Sequence, residues 1–190
     1  MEESVALRSY FQAHKQEMID TLAAWVAVPS VRGDAKPGMP YGAEPARMLK
    51  LALEQCAALG FQTESVANCM GSVELNDLPA ALAVLCHLDV VPAGEGWSQD
   101  PFVLIYRQDT DRLYGRGAID NKGPAVAALY AMRAIRELHI PMKHGVRLLL
   151  GTDEENGSSD LTAYLQQRTM PPMVFTPDGD YPVINIEKGM

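Results

Sequence analysis

The chain has 190 residues, of which 47% are hydrophobic and 21% charged, the balance of one soluble folded domain rather than of a disordered segment. Sixteen Lys and Arg against 24 Asp and Glu leave a net charge of -8, so no positive field gathers phosphates and nucleic acid is excluded as an expected partner. The longest apolar runs, such as Leu78 to Cys86, fall far short of the roughly 18 to 20 residues that span a bilayer, and the acidic, amphipathic N-terminus is unlike a signal peptide, so a cytoplasmic protein with no membrane partner is expected.

From Arg8 to Val28, Phe11, Met18, Leu22, Trp25 and Val26 recur at helical spacing, which predicts an amphipathic helix ending before Pro29. Ser30 to Gly42, rich in Gly and Pro, reads as a loop, and Pro45 to Leu59 as a second helix with Gly60 placed to cap it. Extended segments are predicted at Phe61 to Val66, Met70 to Leu75 and Ala81 to Cys86, the last apolar on both faces as a central strand should be. Phe102 to Arg107 and Arg112 to Tyr114 form a predicted hairpin. Lys122 to Leu138 reads as a helix, Gly145 to Gly151 as a buried strand, Ser158 to Arg168 as a helix, and Met173 to Thr176 and Pro182 to Glu187 as strands.

Strands alternating with helices predict a three-layer α/β/α domain around a mixed sheet. Three cysteines, Cys56, Cys69 and Cys86, form no CxxC pair and fit a reducing compartment. The final residues follow a strand-like run with no closing helix, so residues 1–190 are expected to be one portion of a longer domain, incomplete at its C-terminal side. A sheet edge left uncovered there would invite association, which leaves the oligomeric state open.

Polar residues concentrate where predicted strands end: Cys86 to Asp89, Gly117 to Gly123, Gly151 to Glu155 and Thr176 to Asp180. In an open α/β sheet, ligands collect beyond the carboxyl ends of the strands, so one shared site is the economical reading. His87 and Asp89, two residues apart, would point the same way on a strand, allowing Asp89 to accept a hydrogen bond from the nitrogen of His87 that is not used for a metal. Asp120, Glu155 and Asp178 offer oxygen ligands, and Glu154 remains free to take a proton from water. Mixed imidazole and carboxylate ligands suit Zn, Mn or Co. Each cluster alone also describes a surface histidine or a solvated turn, and the inference rests on their joint placement. No GxGxxG, GKS, GKT or GxSxG motif supports nucleotide cradling or a serine nucleophile, and Cys86, facing away from His87 on a strand, reads as core.

The stretches His87 to Trp97, Asp100 to Phe102, Tyr114 to Pro124, Gly151 to Glu155 and Phe175 to Pro182 resemble, in order, the motifs of the M20 family of metallopeptidases, and within it the bacterial dipeptidases of the PepV and Xaa-His dipeptidase group. The resemblance implies a dipeptidase of the zinc-dependent exopeptidase fold. It implies that His87 and Asp178 hold one metal, Asp120 bridges two, Glu155 helps to hold the second, Glu154 is the general base and Asp89 stands behind His87. The peptide bond corresponding to Asp120-Asn121 is often cis in that family. The metals would polarise the scissile carbonyl and acidify a water, whose proton passes to Glu154 and then to the leaving amine. Family members are usually longer, with an inserted domain and a last metal-ligating histidine near the C-terminus. No histidine follows Asp178, and His14, His139 and His144 read as structural or surface residues, so this chain alone is expected to be inactive. An N-acyl amino acid deacylase or desuccinylase, or a nonenzymatic metal-binding module, are the alternative readings.

Overall fold

A computed structural model describes residues 2–179; the predicted strand Pro182 to Glu187 and Asp180 lie outside them. Helix α1 (Glu2–Val26) begins six residues before the apolar periodicity does, because its first turns are good helix formers that need no buried face. It closes just ahead of Pro29. Helix α2 (Ala43–Ala58) buries Met48, Leu49, Ala52 and Cys56, and Gly60 follows its end with φ 86°, a left-handed conformation that glycine adopts without steric cost.

The strands are β1 (Gln62–Val66), β2 (Met70–Glu74), β3 (Ala80–His87), β6 (Gly145–Gly151) and β7 (Met173–Phe175), in the spatial order β1-β2-β6-β3-β7. β1, β2 and β6 run antiparallel in sequence, whereas β6, β3 and β7 are parallel, so the sheet is mixed as expected. A separate hairpin joins β4 (Ile105–Arg107) to β5 (Arg112–Tyr114). It is shorter than predicted because Asp100 accepts a bond from the Phe102 amide and turns the chain there.

Alternation along β3 and β6 builds two cores. Val84, Cys86, Leu148 and Leu150 meet α1, α2 and α3 (Lys122–Glu137), while Ala83 and Leu149 meet Tyr164 of α4 (Ser159–Leu165) on the other face. Three layers result, as predicted. The three cysteines are free and buried. Among the described residues no helix is long and apolar enough to cross a membrane. Leu148 is wholly buried at the middle of the larger core, so Leu148→Ala is expected to cost about 2–5 kcal/mol, read from urea unfolding.

Candidate metal centre

His87 is the last residue of β3, and the parallel register sets it opposite Gly151, the last of β6. The 3-10 turn Glu154–Asn156 therefore starts three residues past that common edge. On the far side of β3, Val84 pairs with Phe175, which brings Pro177 and Asp178 to the same end of the sheet. Asp120 arrives from the turn ahead of α3. Its bond to Asn121 is cis.

The result is a cluster of oxygens around one imidazole nitrogen. His87 Nε2 lies 2.9 Å from Asp120 Oδ1, 3.3 Å from Asp178 Oδ2 and 3.8 Å from Glu154 Oε2. Two sets of three, His87 with Glu154 and Asp178, and His87 with Asp120 and Glu155, each offer ligand atoms within 4.8 Å of one another. The four residues expected from the sequence to hold metal, His87, Asp120, Glu155 and Asp178, are thus brought together with Glu154. His14 instead stacks on Tyr10 beside Glu137, and His139 and His144 are exposed.

The other ring nitrogen, Nδ1, is 3.0 Å from the carbonyl oxygen of Asp89 and 3.4 Å from its Oδ1. A carbonyl can only accept, so Nδ1 carries the proton and the lone pair of Nε2 faces the acids. Asp89 stands behind His87 as the spacing predicted, but the strand ends at His87 and the hydrogen bond goes to the Asp89 main chain. Its carboxylate is turned to the amides of Glu154, 3.2 Å, and Glu155, 3.1 Å. Nε2 itself is buried with no hydrogen-bond partner. An imidazole lone pair packed against carboxylates is repelled unless a cation lies between them, and this donor set fits a divalent metal.

With no cation bound, the same acids favour a proton on the ring: burial alone would lower the His87 pKa, but Asp89, Glu154 and Asp178 outweigh it and raise it to about 9, so a metal at Nε2 would take the place of a proton. Burial, followed by the neighbouring acids, raises the Glu154 and Glu155 carboxyls. Cys86, on the opposite face of β3, is pushed by burial up to about 12 and remains an inert thiol.

Several residues that the sequence did not single out position this cluster. Asn121, fully buried, accepts from the His87 amide at 3.4 Å and donates to the Pro177 carbonyl at 3.0 Å, linking β3 to the segment with Asp178. Asp160 accepts from the amides of Thr152, Asp153 and Leu161 and so bends the chain after β6. Asp153, wholly buried, pairs with Arg32 and holds Ser159, while Arg32 also lies over the Tyr41 ring. Asn121 and Asp153 had a place in the polar clusters as their sequence signal, whereas Asp160 and Arg32 had none, since each acts through main-chain groups or distant partners.

The model of peptidase family M20/M25/M40 matches residues 83–188, which contain every residue of the cluster. YtjP of Bacillus subtilis, which carries a dipeptidase assignment, is 38% identical over 93% of this chain and 38% of its own length. The chain thus spans about two fifths of that relative. The structure of human carnosine dipeptidase 1 is similar at 31% identity and a TM-score of 0.71, over 87% of this chain and 37% of that one. The di-peptidase Dug1p of Saccharomyces cerevisiae shares the fold with a TM-score of 0.74 at 19% identity, over 86% of this chain and 37% of that one. Asp160→Ala would leave three amides near this centre without their acceptor. It is expected to cost about 1–3 kcal/mol, seen as a lower urea midpoint with an unchanged slope.

Proposed function

The chain belongs to peptidase family M20/M25/M40, and from that premise we propose that it is the metal-holding portion of a dipeptidase, acting on the peptide bond of a dipeptide or short peptide. One observation carries this reading: the buried, unpartnered Nε2 of His87, faced by carboxylates from three other segments. In this reading His87 and Asp178 would hold one ion and Glu155 would help to hold a second, with Asp120 available to both. Zinc suits this mixture of one imidazole with carboxylates, and manganese or cobalt are the other candidates. Such ions, when bound, polarise the scissile carbonyl and let a water attack at neutral pH.

Glu154 is the proposed general base. Its carboxylate is half exposed at the mouth of the cluster, and burial and its acidic neighbours raise its pKa toward the range useful for exchanging protons. It takes the proton of the attacking water and returns it to the leaving amine. Asp89 keeps His87 in the tautomer whose Nε2 lone pair faces the cluster. The names of the relatives support a dipeptide as substrate. Because the chain spans 38% of YtjP, the proposal includes that residues 1–190 are the N-terminal portion of the catalytic domain and do not turn over alone.

The test is metal content by plasma emission spectroscopy, with hydrolysis of dipeptides and of N-acyl amino acids, on the 190-residue chain and on the product of the complete reading frame. Two ions and dipeptide turnover in the complete product are expected, with no turnover by 190 residues alone. Preference for N-acyl amino acids would replace the dipeptidase reading with a deacylase, and turnover by the short chain would overturn its inactivity. In the active product, Glu154→Gln is expected to lower kcat by about 10²–10⁴ fold with metal content unchanged. Removing metal with a chelator should abolish activity, and adding it back should restore it.

A further inference from the structure

Lys122 is the first residue of α3, two positions after Asp120, and it is wholly buried. Lysine is almost never fully buried without compensation, and here no carboxylate receives the amine among the described residues. Nζ donates instead to the main-chain carbonyls of Trp25, at 3.0 Å, and Val28, at 2.8 Å, where α1 ends. Helix-end carbonyls are ordinarily satisfied by water or by a local cap. A buried amine brought from 94 residues away is a more specific device.

The surroundings are shaped around this side chain. Gly117, at φ +83°, lies alongside the stem, and a Cβ there would fall 3.1 Å from Lys122 Cδ and 3.0 Å from Val90 Cγ1. The same Gly117 accepts from the Lys122 amide at 3.0 Å. Beyond the amine, the connections continue. The Val28 carbonyl also accepts from the Ser30 amide at 2.8 Å, the buried Ser30 hydroxyl donates to the Leu88 carbonyl at 2.6 Å, and the Val90 amide donates to the Ser30 carbonyl at 3.1 Å. A brace thus runs from the turn of Asp120 through residues 28–30 to residues 88–90. His87 and Asp89 lie at its far end.

We propose that Lys122 is a positioning residue of the candidate metal centre, whose buried amine sets the separation between the Asp120 turn and the segment of His87 and Asp89. The proposal rests on the metallopeptidase reading and deepens it, since that reading assigns Lys122 no part. A lysine that only closed α1 would affect the stability of the helix packing and leave the metal ligands where they are.

Cobalt(II) alone is the probe, added to the metal-free product of the complete reading frame, with affinity and visible absorption as readouts and thermal unfolding in chelator as the measure of fold. Lys122→Met is expected to bind cobalt at least tenfold more weakly and with an altered visible spectrum, beyond any fall in unfolding temperature. Ser30→Ala, a smaller lesion in the same brace, is expected to weaken binding threefold or more, and it decides the matter if Lys122→Met does not fold. Wild-type affinity and spectrum in the variants, with only the unfolding temperature lowered, would overturn the proposal and leave Lys122 a helix anchor. Asp120→Asn separates the two readings: if wild type takes up no cobalt and Asp120→Asn matches it, the metal centre fails first and the positioning role falls with it.

Discussion

The parallel pairing of β3 with β6 is the constraint on which the rest of the centre depends. With His87 opposite Gly151, both strands stop at one level, and whatever follows must turn out of the sheet at the same place. The pairing of β7 on the other side of β3 brings the third chain segment to that level. Side chains far apart in sequence converge because hydrogen-bonded ladders have a fixed register, before any attraction among the side chains is considered. The acids among those side chains in fact repel one another, and a single imidazole offsets only part of their charge.

How the fold tolerates such a gathering is visible in the buried acids beneath it. Asp89 and Asp160 use their carboxylates on main-chain amides of the segment after β6, which satisfies the negative charge and shapes the turn in the same bonds. Asp153 has Arg32 and Ser159. The acids above, Asp120, Glu154, Glu155 and Asp178, are not supported in this way. They are partly exposed, their charge is directed at His87, and a proton or a metal ion is what relieves it. Two tiers of carboxylate therefore do different work, the lower tier organising backbone and the upper tier presenting negative charge.

Much of this was legible in the sequence, for a physical reason. Periodicity reports burial, so α2, α3 and the strands β2, β3 and β6, which are buried along defined faces, were found close to their observed limits. The first turns of α1 were not, because an exposed helix end has no apolar period to read. The end of α4 was overextended for the converse reason, since Arg168 and Gln167 continue in turns held by the Tyr164 carbonyl and not by regular helix. In the site, the upper tier was legible as acids and a histidine at strand ends. Asn121, Asp160 and Lys122 were not, because their partners are main-chain groups. A carbonyl or an amide leaves no mark in a sequence pattern, however decisive its position.

The single imidazole of the cluster bears on how such a centre would tell metals apart. Nitrogen ligands favour the later transition metals, whereas carboxylate oxygens accept magnesium, calcium and manganese readily. With one nitrogen against four acids among the described residues, a centre of this composition would lean toward oxygen-seeking ions, and its preference among ions would be shallow. Under that balance, occupancy would follow the concentrations of competing ions as much as their intrinsic affinities, and the metal in a purified sample would record the medium in which the chain was made.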